Sequence, residues 1–234
     1  MTHCLKSASL LAFAALLPAA HAATLDVFVD PAQTWWGYVA VFDLPGDGGA
    51  LRLSEFYGAD TARLPGGFAG PVASLAPSRI GVFEGDTQNP YFGDWWKADG
   101  NGGYSANKIV EGYLYVQDDS LAGNTVRFSG RVLSNTLTGP YTAYAVIADT
   151  VGDNYAGYAQ ARSTPLVAGE TFTVSLDVAL GHHVGYGIVV SGPGSPDASL
   201  GSLGAVAVSA VPEPSTWLLM AIGGFGLAAL RRRS

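Results

Sequence analysis

The chain has 234 residues and a formal charge of −7, from 19 Asp+Glu against 12 Lys+Arg. An acidic surface repels phosphate backbones, so nucleic acid is excluded as a partner class. A single cysteine, Cys4, excludes a disulfide framework and a cysteine-built metal site.

Residues 1–22 read as a secretory signal helix. His3 and Lys6 stand in a short polar opening, Ala8 to Leu17 is apolar, and Pro18 ends the helix. Ala20-His21-Ala22 supplies the small-x-small pattern read by signal peptidase, which places the mature start at Ala23. Cys4 has no Leu-x-x-Cys setting at the cut, so the signal is not of the lipoprotein kind. The implied partners at this end are the secretion translocon and signal peptidase. Residues 23–210 then form the body, about 190 residues and a single domain. The body holds 8 Lys+Arg and 18 Asp+Glu, a charge of −10.

Short strand patterns fill the body, separated by Gly, Pro, Asn and Asp. They fall at Thr24–Val29, Trp35–Phe42, Leu51–Phe56, Arg79–Phe83, Ile109–Gln117, Thr125–Leu133, Tyr141–Ala148, Tyr155–Arg162, Thr171–Ala179, Val184–Val190 and Gly204–Ala210. Phe172, Val174, Leu176 and Val178 alternate with polar residues, the mark of a strand with one buried face. No helix-period segment and no fixed repeat occurs. The pattern predicts an all-β fold, an antiparallel two-sheet β-sandwich of jelly-roll-like type.

Between Gly85 and Asn107 lies a long segment rich in Gly, Asp and Asn that also holds Tyr91, Phe92, Trp95, Trp96 and Tyr104. A loop of this length inside a domain is commonly functional, and its aromatics argue against disorder. Exposed indole and phenol faces stack on sugar rings. This predicts ligand contacts at Trp95, Trp96, Tyr91 and Tyr104, with Asp94, Asp99 and Asn101 accepting hydroxyl hydrogen bonds. Of the adjacent pair Trp35 and Trp36, one is expected to enter the core, because neighbours on a strand diverge.

Other chemistry is thin. Asp99–Gly103, Asp149–Asn154 and Asp118-Asp119 are oxygen-rich but lack calcium-loop spacing, and read as solvated turns. His182-His183 diverge along a strand and have no third histidine in the predicted mature chain, so no metal is expected. No nucleophile elbow and no zinc-protease motif occurs. A glycosidase pair could be drawn only from Glu55, Glu84, Glu111 and the aspartates. The expectation is a protein that is not an enzyme and has no cofactor.

Residues 211–234 form the tail. Val211-Pro212-Glu213-Pro214 is extended, because proline lacks an N–H and restricts its predecessor. Thr216 to Leu230 is apolar, and Arg231, Arg232 and Arg233 follow. At 1.5 Å per residue the run spans somewhat over 20 Å, a short single transmembrane helix with its arginines on the cytoplasmic side. This triplet, helix and basic end resemble the PEP-CTERM sorting domain, a pattern also described as the C-terminal domain of ice-binding proteins. The resemblance implies recognition by an exosortase of a Gram-negative bacterium and transient inner-membrane insertion. It also implies cleavage near Pro212-Glu213-Pro214 and delivery to the cell surface or extracellular matrix.

Within the body, Asn124–Gly130, Ser134–Leu137, Pro140–Ala145 and His183–Gly187 resemble a module of other exported proteins with this tail. Those are similar to carbohydrate-binding sandwiches. The sequence thus leaves open a glycan-interacting body facing extracellular polysaccharide, a structural matrix protein, an ice-binding protein, or a glycoside hydrolase.

Overall fold

Alternation of apolar and polar residues sets this fold, since successive side chains of a strand point to opposite faces. The computed structural model describes residues 23–58, 64–78, 86–152, 157–195 and 201–211. In chain order the strands are β1 (Thr24–Phe28), β2 (Trp36–Asp43), β3 (Leu51–Gly58), β4 (Gly66–Ala69) and β5 (Val72–Leu75). A short helix, α1 (Phe92–Trp95), precedes β6 (Trp96–Ala98) and β7 (Tyr104–Ala106). Then follow β8 (Lys108–Gln117), β9 (Thr125–Asn135), β10 (Thr142–Val151), β11 (Gly157–Pro165), β12 (Thr171–Asp177), β13 (His183–Pro193) and β14 (Val206–Ser209).

Two six-stranded sheets face each other. Sheet A runs β1-β9-β14-β5-β4, with β12 also on β9; sheet B runs β11-β10-β13-β8-β2-β3. This is the expected all-β sandwich, with one correction to its antiparallel character: β1 pairs with β9 in parallel. The register gives the reason. One edge of β9 carries β12, whose partners run from Thr125 to Arg131. The other edge is shared by β1, which ends opposite Ser129, and β14, which ends opposite Arg131. The two strands meet end-on at Gly130, each by its C-terminal end. A Cβ at Gly130 would lie 2.5 Å from the Phe172 ring and 3.0 Å from the Ser209 carbonyl, so glycine fits this crowded junction. Past it Val29 turns into the core.

The main core lies between the sheets. Phe128, Val126 and Val132 of β9 and Phe172, Val174 and Leu176 of β12 face Leu114, Ile147, Tyr186 and Ile188 of sheet B. Phe128 ties the layers, with its ring 5.2 Å from Phe172 and 5.3 Å from Tyr186. Each such side chain contributes about 1.5–3 kcal/mol when fully buried. Sheet B extends beyond sheet A at its β2–β8 end, where a second cluster of Leu64, Phe92 and Trp96 covers Val39, Val41 and Val110.

Ten of the predicted strands appear, most of them shifted by a residue or more at an end, and Arg79–Phe83 lies outside the described residues. Strands β4, β5, β6 and β7 were not anticipated. They are only three or four residues long, too short for alternation to register. The segment expected as a loop before Asn107 is α1 followed by the β6–β7 hairpin. Among the described residues no helix is long and apolar enough to cross a membrane. The predicted signal helix and tail helix both lie outside them.

Candidate functional site

The polar segment expected to carry the site turns Phe92 and Trp96 inward and leaves Tyr91 and Tyr104 at the surface. Helix α1 ends at Trp95 and Trp96 opens β6, so the two indoles leave the chain in different directions. Trp96 is only 3% exposed and belongs to the second core. Its assignment as a ligand contact is therefore corrected: a buried indole has no face to offer a sugar ring. Trp95 is half-buried against the same cluster, and its carbonyl accepts from the Asn107 N–H at 2.8 Å. Tyr104 meets the Phe92 ring edge-on at 4.8 Å, while Tyr91 is 64% exposed. Asp94, Asp99 and Asn101 are exposed, but Asp99 Oδ1 already accepts from the N–H groups of Asn101 (2.7 Å) and Gly103 (3.0 Å), closing a turn. Phe92, Trp95 and Trp96 thus pack into the second cluster, while Tyr91, Asp94, Asp99 and Asn101 stay at the surface.

A different aromatic array stands on the outward side of sheet B. The register aligns one residue from every strand: Phe56 beside Tyr38, Tyr38 beside Tyr113, Tyr113 beside Val189, Val189 beside Tyr144, and Tyr144 beside Pro165. With strands about 4.8 Å apart, this row crosses about 24 Å. Tyr38, Tyr113 and Tyr144 are half-buried and Phe56 is 57% exposed. Val189, flanked by two tyrosines, is 4% exposed. The Tyr38 and Tyr113 rings lie 5.5 Å apart, tilted by 60°. Beside the row, Trp36 pairs with Tyr115 in register, and its ring is 5.5 Å from Phe56. Tyr115 lies over β13, its ring 3.5 Å from where a Gly185 Cβ would stand, and opposite Gly187, where a Cβ would come within 2.6 Å of the Tyr115 Cα and 2.2 Å of the Leu114 carbonyl.

Sequence reasoning missed this array. Trp36 was singled out only as half of a pair of which one member enters the core. Trp35 does so, at 6% exposed, and Trp36 faces outward. The available signal was Trp36-x-Tyr38 and Glu111-x-Tyr113-x-Tyr115-x-Gln117, aromatics at a spacing of two. Glu111 is on this face and accepts a hydrogen bond from the Tyr113 hydroxyl. Glu55 is not: it registers with Val39 whereas Glu111 registers with Ala40, which puts the two carboxylates on opposite faces. At its far end the row reaches a hollow of about 370 Å³ lined by Tyr141, Thr142, Tyr144, Pro165 and Asn135 among others. Burial raises the Tyr141 phenol above its usual value, and a hydrogen bond with Ser195 opposes that shift.

The chain leaves the body on the other side. After Ser209, Val211 lines a hollow of about 340 Å³ with Asp26, Phe28, Arg127, Ser129, Thr171 and Thr173 on sheet A. Only Ala210 and Val211 separate β14 from Pro212. The family model described as the PEP-CTERM protein-sorting motif matches residues 210–233. This chain carries the PEP-CTERM sorting motif. No curated protein and no solved structure matches the chain. The PEP-CTERM signal therefore follows the folded body with no intervening linker. It makes this an exported protein, sorted through membrane anchoring by an exosortase. Of the predicted sorting residues only Val211 is described; Pro212, Glu213, Pro214, Arg231, Arg232 and Arg233 lie outside, as do Ala20 and Ala22. Ala23 enters the sheet at once, its carbonyl accepting from the Thr125 N–H at 2.9 Å.

Several charged groups of the described body are paired structurally. Arg127 grips Asp26 with two hydrogen bonds, the Nη2 to Oδ2 bond at 2.7 Å, and holds that carboxyl below its ordinary 3.8. Arg52, at 2.5 Å, does the same for Asp43. His182 and His183 diverge as expected: their Nδ1 atoms bond Asp149 (2.6 Å) and Asp119 (2.7 Å) respectively. Among the described residues no three of His, Cys, Asp and Glu converge as metal ligands.

Proposed function

We propose that the PEP-CTERM body is a glycan-binding module which holds extracellular polysaccharide once exosortase sorting has delivered it. The observation that carries this reading is the register-aligned aromatic row on the outward side of sheet B. Half-exposed phenol rings present apolar faces to sugar C–H groups and polar tips to hydroxyls. Rings fixed on a sheet are also ordered in advance, so little conformational entropy is lost on binding. The reading is of a binder, not a glycosidase. Hydrolysis of a glycosidic bond needs two carboxylates flanking it; of the candidates, Glu55 and Glu111 stand on opposite faces and Glu84 lies outside the described residues. The test is a glycan array probed with residues 23–211 and with the Tyr113→Ala and Trp36→Ala variants. Signals that vanish in both variants support the reading; array-wide silence of the parent protein ends it in favour of a structural matrix role.

A further inference from the structure

Resting on that glycan-binding reading, the geometry points to its ligand class: we infer that sheet B binds an uncharged, extended polysaccharide lying across the strands, several sugar units at a time. Three observations carry this. The aligned residues form a straight row at right angles to the strands, from Phe56 on β3 to Pro165 on β11. A single sugar would engage one or two rings, whereas a flat extended chain reaches the rings on both sides of buried Val189 along a row of about 24 Å. The charge of the face supplies the second argument. Its described central residues include one carboxylate, Glu111, and neither Lys nor Arg, within a body of charge −10. A polyanion would meet no counter-charge there, and like-charge juxtaposition selects against it. Third, Glu111 is fixed by the Tyr113 hydroxyl beside the middle of the row, and such a carboxylate accepts hydrogen bonds from neutral sugar hydroxyls.

The row also has two unlike ends. At β3 it finishes on exposed Phe56 at the sheet edge. At β10 and β11 it runs into the hollow that shares Tyr144 and Pro165 with it.

The experiment titrates the full-length protein with neutral β-linked gluco-oligosaccharides of increasing length, and in parallel with a polyuronate of matched length, using calorimetry. Affinity for the neutral series should rise with each added unit and level off once the row is spanned. It should change little between low salt and about 0.5 M. Tyr113→Ala should weaken the longest neutral ligand about tenfold. Tyr144→Ala should leave the shortest ligand unaffected and lower the plateau. Tighter binding of the polyuronate, lost in Tyr113→Ala, would overturn the neutral-ligand inference while leaving glycan binding intact. A single sugar binding as tightly as the longest oligomer would overturn the extended geometry. Binding of neither series, on a protein whose array is also silent, removes both the inference and the reading beneath it.

Discussion

Two aromatic regions of this body behave in opposite ways. Between residues 91 and 104, two tryptophans, two tyrosines and a phenylalanine are gathered in a polar stretch, yet their main product is a second core under the edge of sheet B. On β2, β8 and β10 the aromatics are dispersed among apolar and small residues, yet they line up across the sheet and look outward. Clustering along the chain thus reports local packing, whereas a spacing of two on several strands reports a shared face. What assembles the row is register, a property of strand pairs rather than of any one segment.

The contrast is open to attack, most forcibly at Trp96. Trp96→Ala empties a buried site and should cost about 3–5 kcal/mol in denaturant unfolding, while glycan affinity in the folded fraction stays unchanged. Loss of affinity with unaltered stability would reverse the roles assigned to the two regions. Next comes Gly187→Ala, which forces a Cβ against the Leu114 carbonyl and the Tyr115 backbone. Such overpacking should cost about 1–3 kcal/mol, and a shifted Tyr115 fluorescence or NMR signature would accompany it. The converse substitution, Tyr113→Ala, should lower glycan affinity about tenfold yet cost under about 1.5 kcal/mol of stability, because the ring is only half-buried.

Smaller effects refine the picture. Asp26 has its carboxyl value depressed chiefly by the hydrogen bond from Arg127. A depressed value means stabilisation that is present above 3.8 and lost as pH falls below it. Asp26→Asn should therefore flatten the acid limb of the stability curve below 3.8 and leave neutral-pH glycan affinity alone. Equal acid sensitivity in parent and variant would show that this pair adds nothing. Smallest of all, Tyr91→Ala removes a ring that is 64% exposed and should change stability by no more than about 0.5 kcal/mol. A marked loss of glycan affinity in that variant would return the site to the polar segment.

Much of the architecture was legible in the sequence. Alternation in residues such as Phe172, Val174 and Leu176 assigned the strands and their buried faces, and the Pro212-Glu213-Pro214 tail announced the sorting signal. The parallel partnership of β1 was not legible, because it depends on how β1 and β14 divide one edge of β9. Trp96 was misread for a related reason. Its neighbours in sequence are polar, but its neighbours in space are Val39, Val110 and Leu64, from segments far along the chain. The row from Phe56 to Pro165 needs five strand pairings at once, and composition or local periodicity supplies none of them.

The end-on junction at Gly130 gives the molecule a back and a front. Because β1 already occupies the ladder ahead of it, the chain beyond Ser209 has to step off sheet A, on the side that carries Asp26, Arg127 and Thr173. The aromatic row belongs to the opposite surface of the sandwich. Val211, the last described residue, thus leaves the body on the side away from the tyrosines.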